Sequence, residues 1–121
     1  IISLVLGEGC SGGALGISVA DITLMLEHAY YSVISPEGCA SILWKDSRKG
    51  HLAADQLKMQ SEDLLEFGMI DRIIKEGDGF HLNKEKVYAL IKSEVIKSID
   101  KLSLQSPSKL VEDRAKKYRS F

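Results

Sequence analysis

The run Gly7-Glu8-Gly9-Cys10-Ser11-Gly12-Gly13 is where residue type and spacing in this chain best support chemistry. An apolar stretch, Ile1 to Leu6, precedes it and small residues follow to Ala20. It therefore reads as a strand-to-helix turn in which Ser11 caps a helix that starts near Gly12 and stops at Asp21. The first amides of a helix have no intrahelical acceptor, and the helix dipole adds about half a positive charge there. An oxygen that gains negative charge during a reaction is stabilised at such a place, and loss of one such donor typically costs about 3 kcal/mol of transition-state stabilisation. Glycine at Gly12 and Gly13 keeps side chains from shielding those amides. On these residues alone a second reading stays open, in which the glycines only permit a tight turn and close helix–sheet packing. A phosphate-binding reading is weaker, because the run lacks the Lys-Ser/Thr ending of a P-loop and keeps no GxGxxG register with an acidic ribose partner.

Other reactive side chains have simpler explanations. In Ser35-Pro36-Glu37-Gly38 the serine caps a helix, proline takes its first position and Glu37 meets the positive end of the dipole. Cys39 has no histidine partner in motif context and reads as a packed thiol, and Cys10 and Cys39 are expected to be reduced. His28, His51 and His81 share no ligand spacing, and two cysteines do not complete a tetrahedral set, so no metal is expected. Ser11, His28 and Asp21 do not form a hydrolase triad, since the serine is not in a G-x-S-x-G elbow.

These residues need a scaffold, and the pattern supplies one of α/β class built from strand-turn-helix units with C-terminal helices. Ile1 to Leu6 reads as a strand covered on both faces, Ile22 to Leu26 as a second strand and Tyr31 to Ile34 as a short extended piece. Helices are predicted from Pro36 through Trp44, with Trp44 in the core, from His51 to Leu57, and from Ser61 to a stop at Gly68. Ile70 to Ile74 follows as a strand. After the loop Glu76 to Asn83, with Asn83 as its cap, a long helix is predicted to bury Tyr88, Ile91, Val95, Ile99 and Leu102. Ser106-Pro107 ends it and opens a basic final helix.

Sixteen basic and seventeen acidic side chains are mixed along 121 residues, for a net charge of -1. No field for gathering nucleic acid follows from that balance. The opening apolar run is too short to span a bilayer and lacks the basic region of a secretory leader. The chain begins on a strand without a methionine, which suggests a natural polypeptide that starts upstream.

The stretches LGEGCSGGALGISVAD and YYSVISPEGCASILWKD resemble the signature region of the carboxyltransferase α-subunit family of acetyl-CoA carboxylases, over most of residues 1 to 75. More distantly, the first resembles the second oxyanion motif of the crotonase superfamily, whose middle glycine falls on Gly12. The resemblance implies a partial crotonase-like fold, with residues 1–80 as the C-terminal part of that domain and 81–121 as a helical extension. It implies transfer of a carboxyl group from carboxybiotin to acetyl-CoA, giving malonyl-CoA for fatty acid synthesis. Gly12 and Gly13 would be the catalytic donors, and Ser11, Glu37 and Gly38 substrate-binding positions. Biotin would arrive on a biotin carboxyl carrier protein, a β subunit would complete a heterotetramer of two α and two β chains, and neither nucleic acid nor membrane is a partner. The location implied is the bacterial cytoplasm, or a plastid in a plant or alga. An acyl-CoA hydratase or isomerase is the alternative, but Leu15 stands where hydratases of that superfamily carry a catalytic glutamate; a non-catalytic scaffold is a third. Cys10 stands where many members have glycine, and the loop Glu76 to Glu85 lacks the family's Pro-Leu-Gly-Gly-Ala-His run, so no role passes to Gly77, Gly79 or His81.

Overall fold

Ile22 to Leu26, four apolar side chains and one threonine, forms the strand around which the rest assembles. A computed structural model describes residues 1–120. In chain order the elements are β1 (Ile2–Val5), β2 (Glu8–Cys10), α1 (Gly12–Ser18), β3 (Ile22–Leu26), β4 (Tyr30–Ser32), α2 (Pro36–Trp44), a 3-10 turn (Ser47–Lys49), α3 (Gly50–Leu57), α4 (Ser61–Glu66), β5 (Arg72–Ile74), α5 (Lys84–Ser103) and α6 (Pro107–Arg119). β3 lies between β1 and β5, parallel to both, with Ile2 opposite Ile22 and Leu24 opposite Arg72. All five β3 residues are buried, as expected of a central parallel strand covered on both faces. Leu24, Met25 and Leu26 join Ile70, Ile74, Leu64 and Val87 in one core cluster. Full burial of side chains of this size contributes about 1.5–3 kcal/mol each.

β1 departs from the expectation of a doubly covered strand. It pairs only with β3 among the described residues, and of its four residues only Ser3 is buried. A second departure lies inside the glycine run. Glu8 to Cys10 is a strand, pairing in parallel with β4 through Glu8–Tyr30, Gly9–Tyr31 and Cys10–Ser32. Its pairing, more than its propensity, makes it a strand, because two of the neighbouring residues are glycines with little intrinsic preference. That pairing also starts β4 at Tyr30, one residue before the predicted extended piece.

α1 ends at Ser18, short of Asp21, because the backbone leaves helical geometry at Val19 (ψ 89°) and Ala20 is bonded to α6. α2 runs as predicted, but Trp44 is 37% exposed and lies outside the core, beside the exposed Ile42 and Leu43. α4 stops where Gly68 adopts φ +73°, the left-handed geometry that glycine tolerates. Asn83 precedes α5 without a side-chain capping bond. The buried face of α5 is also rotated from the predicted one. Val87 and Ser98 are buried and Ile91, Val95 and Leu102 pack on the core, whereas Tyr88 and Ile99 are exposed. Tyr88 meets Phe80 edge-to-face, with centroids 5.1 Å apart. No helix among the described residues is long and apolar enough to cross a membrane.

Candidate functional site

At the start of α1, Ser11 is extended (φ -163°, ψ 165°) and its Oγ accepts a hydrogen bond from the Ala14 amide at 3.1 Å. The serine cap thus satisfies the third helical amide and leaves those of Gly12 and Gly13, which have no intrahelical acceptor. Ser11, Gly12 and Gly13 are all exposed. A Cβ placed on Gly12 meets nothing within 4 Å, and one on Gly13 meets only Ser11 Oγ at 3.5 Å, an ordinary contact. Neither glycine has a positive φ. Close packing and left-handed geometry, the two structural reasons for glycine, are therefore both absent here. Gly9 differs, because a Cβ there lies 3.3 Å from the Tyr31 ring. Leu15 is half-buried against the core and carries no proton to transfer.

The start of α2 is a second capped turn. Ser35 Oγ accepts from the Gly38 amide at 3.1 Å, with Pro36 in the first helical turn and Glu37 as its acidic residue. Gly38 has a packing reason, since a Cβ there lies 3.1 Å from both Ile34 Cγ1 and Ser35 Oγ. The Glu37 side chain is exposed and lies over Gly50 at the start of α3, near enough that a Cβ on Gly50 meets its Cγ and Oε1 at 3.3 Å.

The two turns approach each other through Cys10. A cleft of about 580 Å³ is lined by Glu8, Cys10, Tyr30, Ser35, Pro36 and Glu37 on one side and by α3, α4 and their connection on the other. Ser11, Gly12, Gly13 and Gly38 do not line it. Burial, then the carboxylates of Glu8 and Glu37, push the Cys10 thiol up, which keeps it protonated and a poor nucleophile. A hydrogen bond to Glu8 pushes the Tyr30 hydroxyl up to about 12. Cys10 and Cys39 are both free.

Two long-range arrangements were not read from the sequence. The Glu27 carboxylate, at the end of β3, accepts from the amides of Glu76 (2.9 Å) and Gly77 (3.2 Å) and from Lys75 Nζ (2.8 Å). Its pKa is lowered to about 2, by the Lys75 hydrogen bond first and the backbone bonds next. In return Glu76 accepts from the His28 amide at 2.8 Å and His28 Nε2 meets the Gly77 carbonyl at 2.8 Å, a contact that raises the histidine pKa. This exchange fixes the loop after β5. On the opposite end of the sheet, α6 bonds to the α1–β3 junction through Tyr118 and Arg114. The partners are 48 to 100 residues apart, and no local spacing announces them.

Comparison with known proteins adds identity to this geometry. The chain is 51% identical to the acetyl-coenzyme A carboxylase carboxyl transferase subunit alpha of Chlamydia abortus and to that of Chlamydia pneumoniae, and 50% identical to that of Chlamydia trachomatis serovar L2. Each alignment covers 100% of this chain, which spans 38% of the length of those relatives. A family model described as acetyl co-enzyme A carboxylase carboxyltransferase-like matches residues 1–121. A match across the whole chain, glycine turn and both capped helices included, means that the chain belongs to the acetyl-CoA carboxylase carboxyltransferase family.

Proposed function

We propose that this chain forms part of a carboxyltransferase α subunit and carries one oxyanion site of an enzyme that moves a carboxyl group from carboxybiotin to acetyl-CoA, giving malonyl-CoA. The observation that carries the reading is the family match over residues 1–121. The open space above Gly12 and the exposure of Gly12 and Gly13, whose amides the Ser11 cap leaves unpaired, suit a ureido oxygen approaching the helix start. Carboxybiotin, delivered on a biotin carboxyl carrier protein, supplies the carboxyl group. The chain's part is to hold negative charge at that oxygen with the Gly12 and Gly13 amides, backed by the α1 dipole. Ser11 keeps the third amide occupied and has a hydroxyl proton left to donate to the substrate. Glu37 places a carboxylate at the rim of the adjoining cleft, and Gly38 allows the tight turn that presents it. Leu15 removes any proton transfer at that position, so this part of the site positions and stabilises, and moves no proton itself.

On this reading residues 1–80 are the C-terminal part of a crotonase-like domain and 81–121 a helical extension docked on it. A β subunit provides the thioester side of the reaction, in a heterotetramer of two α and two β chains in the bacterial cytoplasm or a plastid. The test is decarboxylation of malonyl-CoA in the presence of a biotin derivative, with the isolated 121-residue chain and with full-length α plus β subunits. Turnover is expected only from the complete pair. Turnover by the isolated chain, or none from the pair, contradicts the reading.

A further inference from the structure

We propose that Tyr118 and Arg114, on α6, are positioning residues for the Gly12 and Gly13 amides; the inference rests on the oxyanion reading above. The Tyr118 hydroxyl donates to the Ser18 carbonyl at 2.7 Å and accepts from the Ala20 amide at 3.0 Å, with the Ala20 carbonyl at 3.3 Å. Ser18 and Ala20 are buried, so these bonds are shielded from water. Arg114 Nη1 meets Asp21 Oδ2 at 2.9 Å, and the Asp21 side chain is only 5% exposed. Lys117 Nζ meets Asp71 Oδ2 at 2.6 Å, the same oxygen that accepts the Thr23 amide at 2.7 Å. Residues 114, 117 and 118 share one helical face, and through it α6 holds the segment from Ser18 to Thr23.

That segment begins at Ser18, the last residue of α1. A helix of seven residues is about 10 Å long, so a tilt of about 10° at one end displaces the other by about 2 Å. The α1–β3 junction has no glycine cap of its own, and Val19, between the two bonded residues, is exposed. Without the α6 bonds the Ser18 carbonyl and the Ala20 amide lose their partners in a buried place, and the junction relaxes to recover them. The donors at Gly12 and Gly13 then shift, and a misplacement of about 1 Å at a reacting centre costs on the order of 100-fold in rate. Transition-state stabilisation suffers more than substrate binding, which is spread over many contacts.

The experiment uses full-length α subunit assembled with β subunit, as parent, Tyr118→Phe, Gly12→Val and the double variant, with carboxyl transfer followed as kcat and as KM for acetyl-CoA. Tyr118→Phe removes one oxygen and is expected to lower kcat by about 10-fold with KM within about twofold. The double variant is expected to be no slower than Gly12→Val alone, because both changes act through the same donors. Turnover of Tyr118→Phe within about twofold of the parent, or losses that multiply in the double variant, overturns the inference. If Gly12→Val keeps parental turnover, the oxyanion reading itself falls, and the inference with it. If Gly12→Val is slow and Tyr118→Phe is fast, only the positioning role falls. Should Tyr118→Phe not assemble, Arg114→Lys carries the same expectation and the same reversal.

Discussion

A glycine that the fold does not require is informative at the scale of single residues. Glycine at a helical position costs about 0.5–1 kcal/mol relative to alanine. Gly12 needs neither a left-handed backbone nor the missing Cβ for packing. Gly12→Ala in the full-length protein is accordingly expected to leave stability unchanged or raise it, by about 0.5 kcal/mol, in denaturant unfolding. Gly38→Ala is expected to go the other way and cost about 1 kcal/mol, since its Cβ lies 3.1 Å from two side-chain atoms. A loss at Gly12 equal to that at Gly38 would make both glycines structural. The caps at Ser11 and Ser35 were legible because a cap involves residues only three apart. Glu27 was not legible, because its partners sit some 48 to 50 residues away. Its folded pKa of about 2 lies below the ordinary 4.5, so its bonds stabilise fully above pH 4.5 and that contribution is lost as pH falls toward 2. Glu27→Gln should therefore be less stable than the parent at pH 7, and the gap measured by unfolding should narrow as pH drops below 4.5. A gap that widens toward acid would contradict the assignment.

Elements with a clear period were read from sequence, and elements made by pairing were not. β3, α2, α4 and α6 follow from apolar runs, capping serines and stops that any segment of that composition carries. β2 exists because β4 lies beside it, and the tripeptide Glu8-Gly9-Cys10 cannot announce its neighbour. The face of α5 was misjudged by one position. Spacings of three and four fit both Tyr88-Ile91-Val95-Ile99 and Val87-Ile91-Val95-Ser98, and only the packing against β1 and β5 selects the second. Tyrosine is the larger apolar surface, but its polar tip lets it stay at the rim, where Phe80 covers one edge. Val87 is 1% exposed and Tyr88 58%. Val87→Ala is expected to cost about 2 kcal/mol and Tyr88→Ala about 1 kcal/mol or less, by equilibrium unfolding. Equal costs would restore the face predicted from spacing alone.

At the scale of the whole molecule, the chain carries apolar surface that its own residues leave uncovered. Ile1, Leu6, Ile17, Ile42 (72% exposed) and Leu43 are all exposed, and β1 offers an unpaired edge among the described residues. Such surface drives association. The isolated 121-residue chain is expected to self-associate, giving a sedimentation mass above 13.4 kDa; a stable monomer at tens of micromolar would contradict this. The family was legible in the stretches LGEGCSGGALGISVAD and YYSVISPEGCASILWKD, which are short local patterns. The β2–β4 pairing and the ties of α6 to the α1–β3 junction were not, because no local spacing encodes them. The most direct measurement of the central claim is the turnover of Gly12→Val in the complete enzyme, set beside its unfolding curve. If the Gly12 and Gly13 amides hold the developing negative charge, kcat falls by about 100-fold or more while stability changes little. A kcat within about twofold of the parent, in a protein that folds and assembles normally, would contradict it.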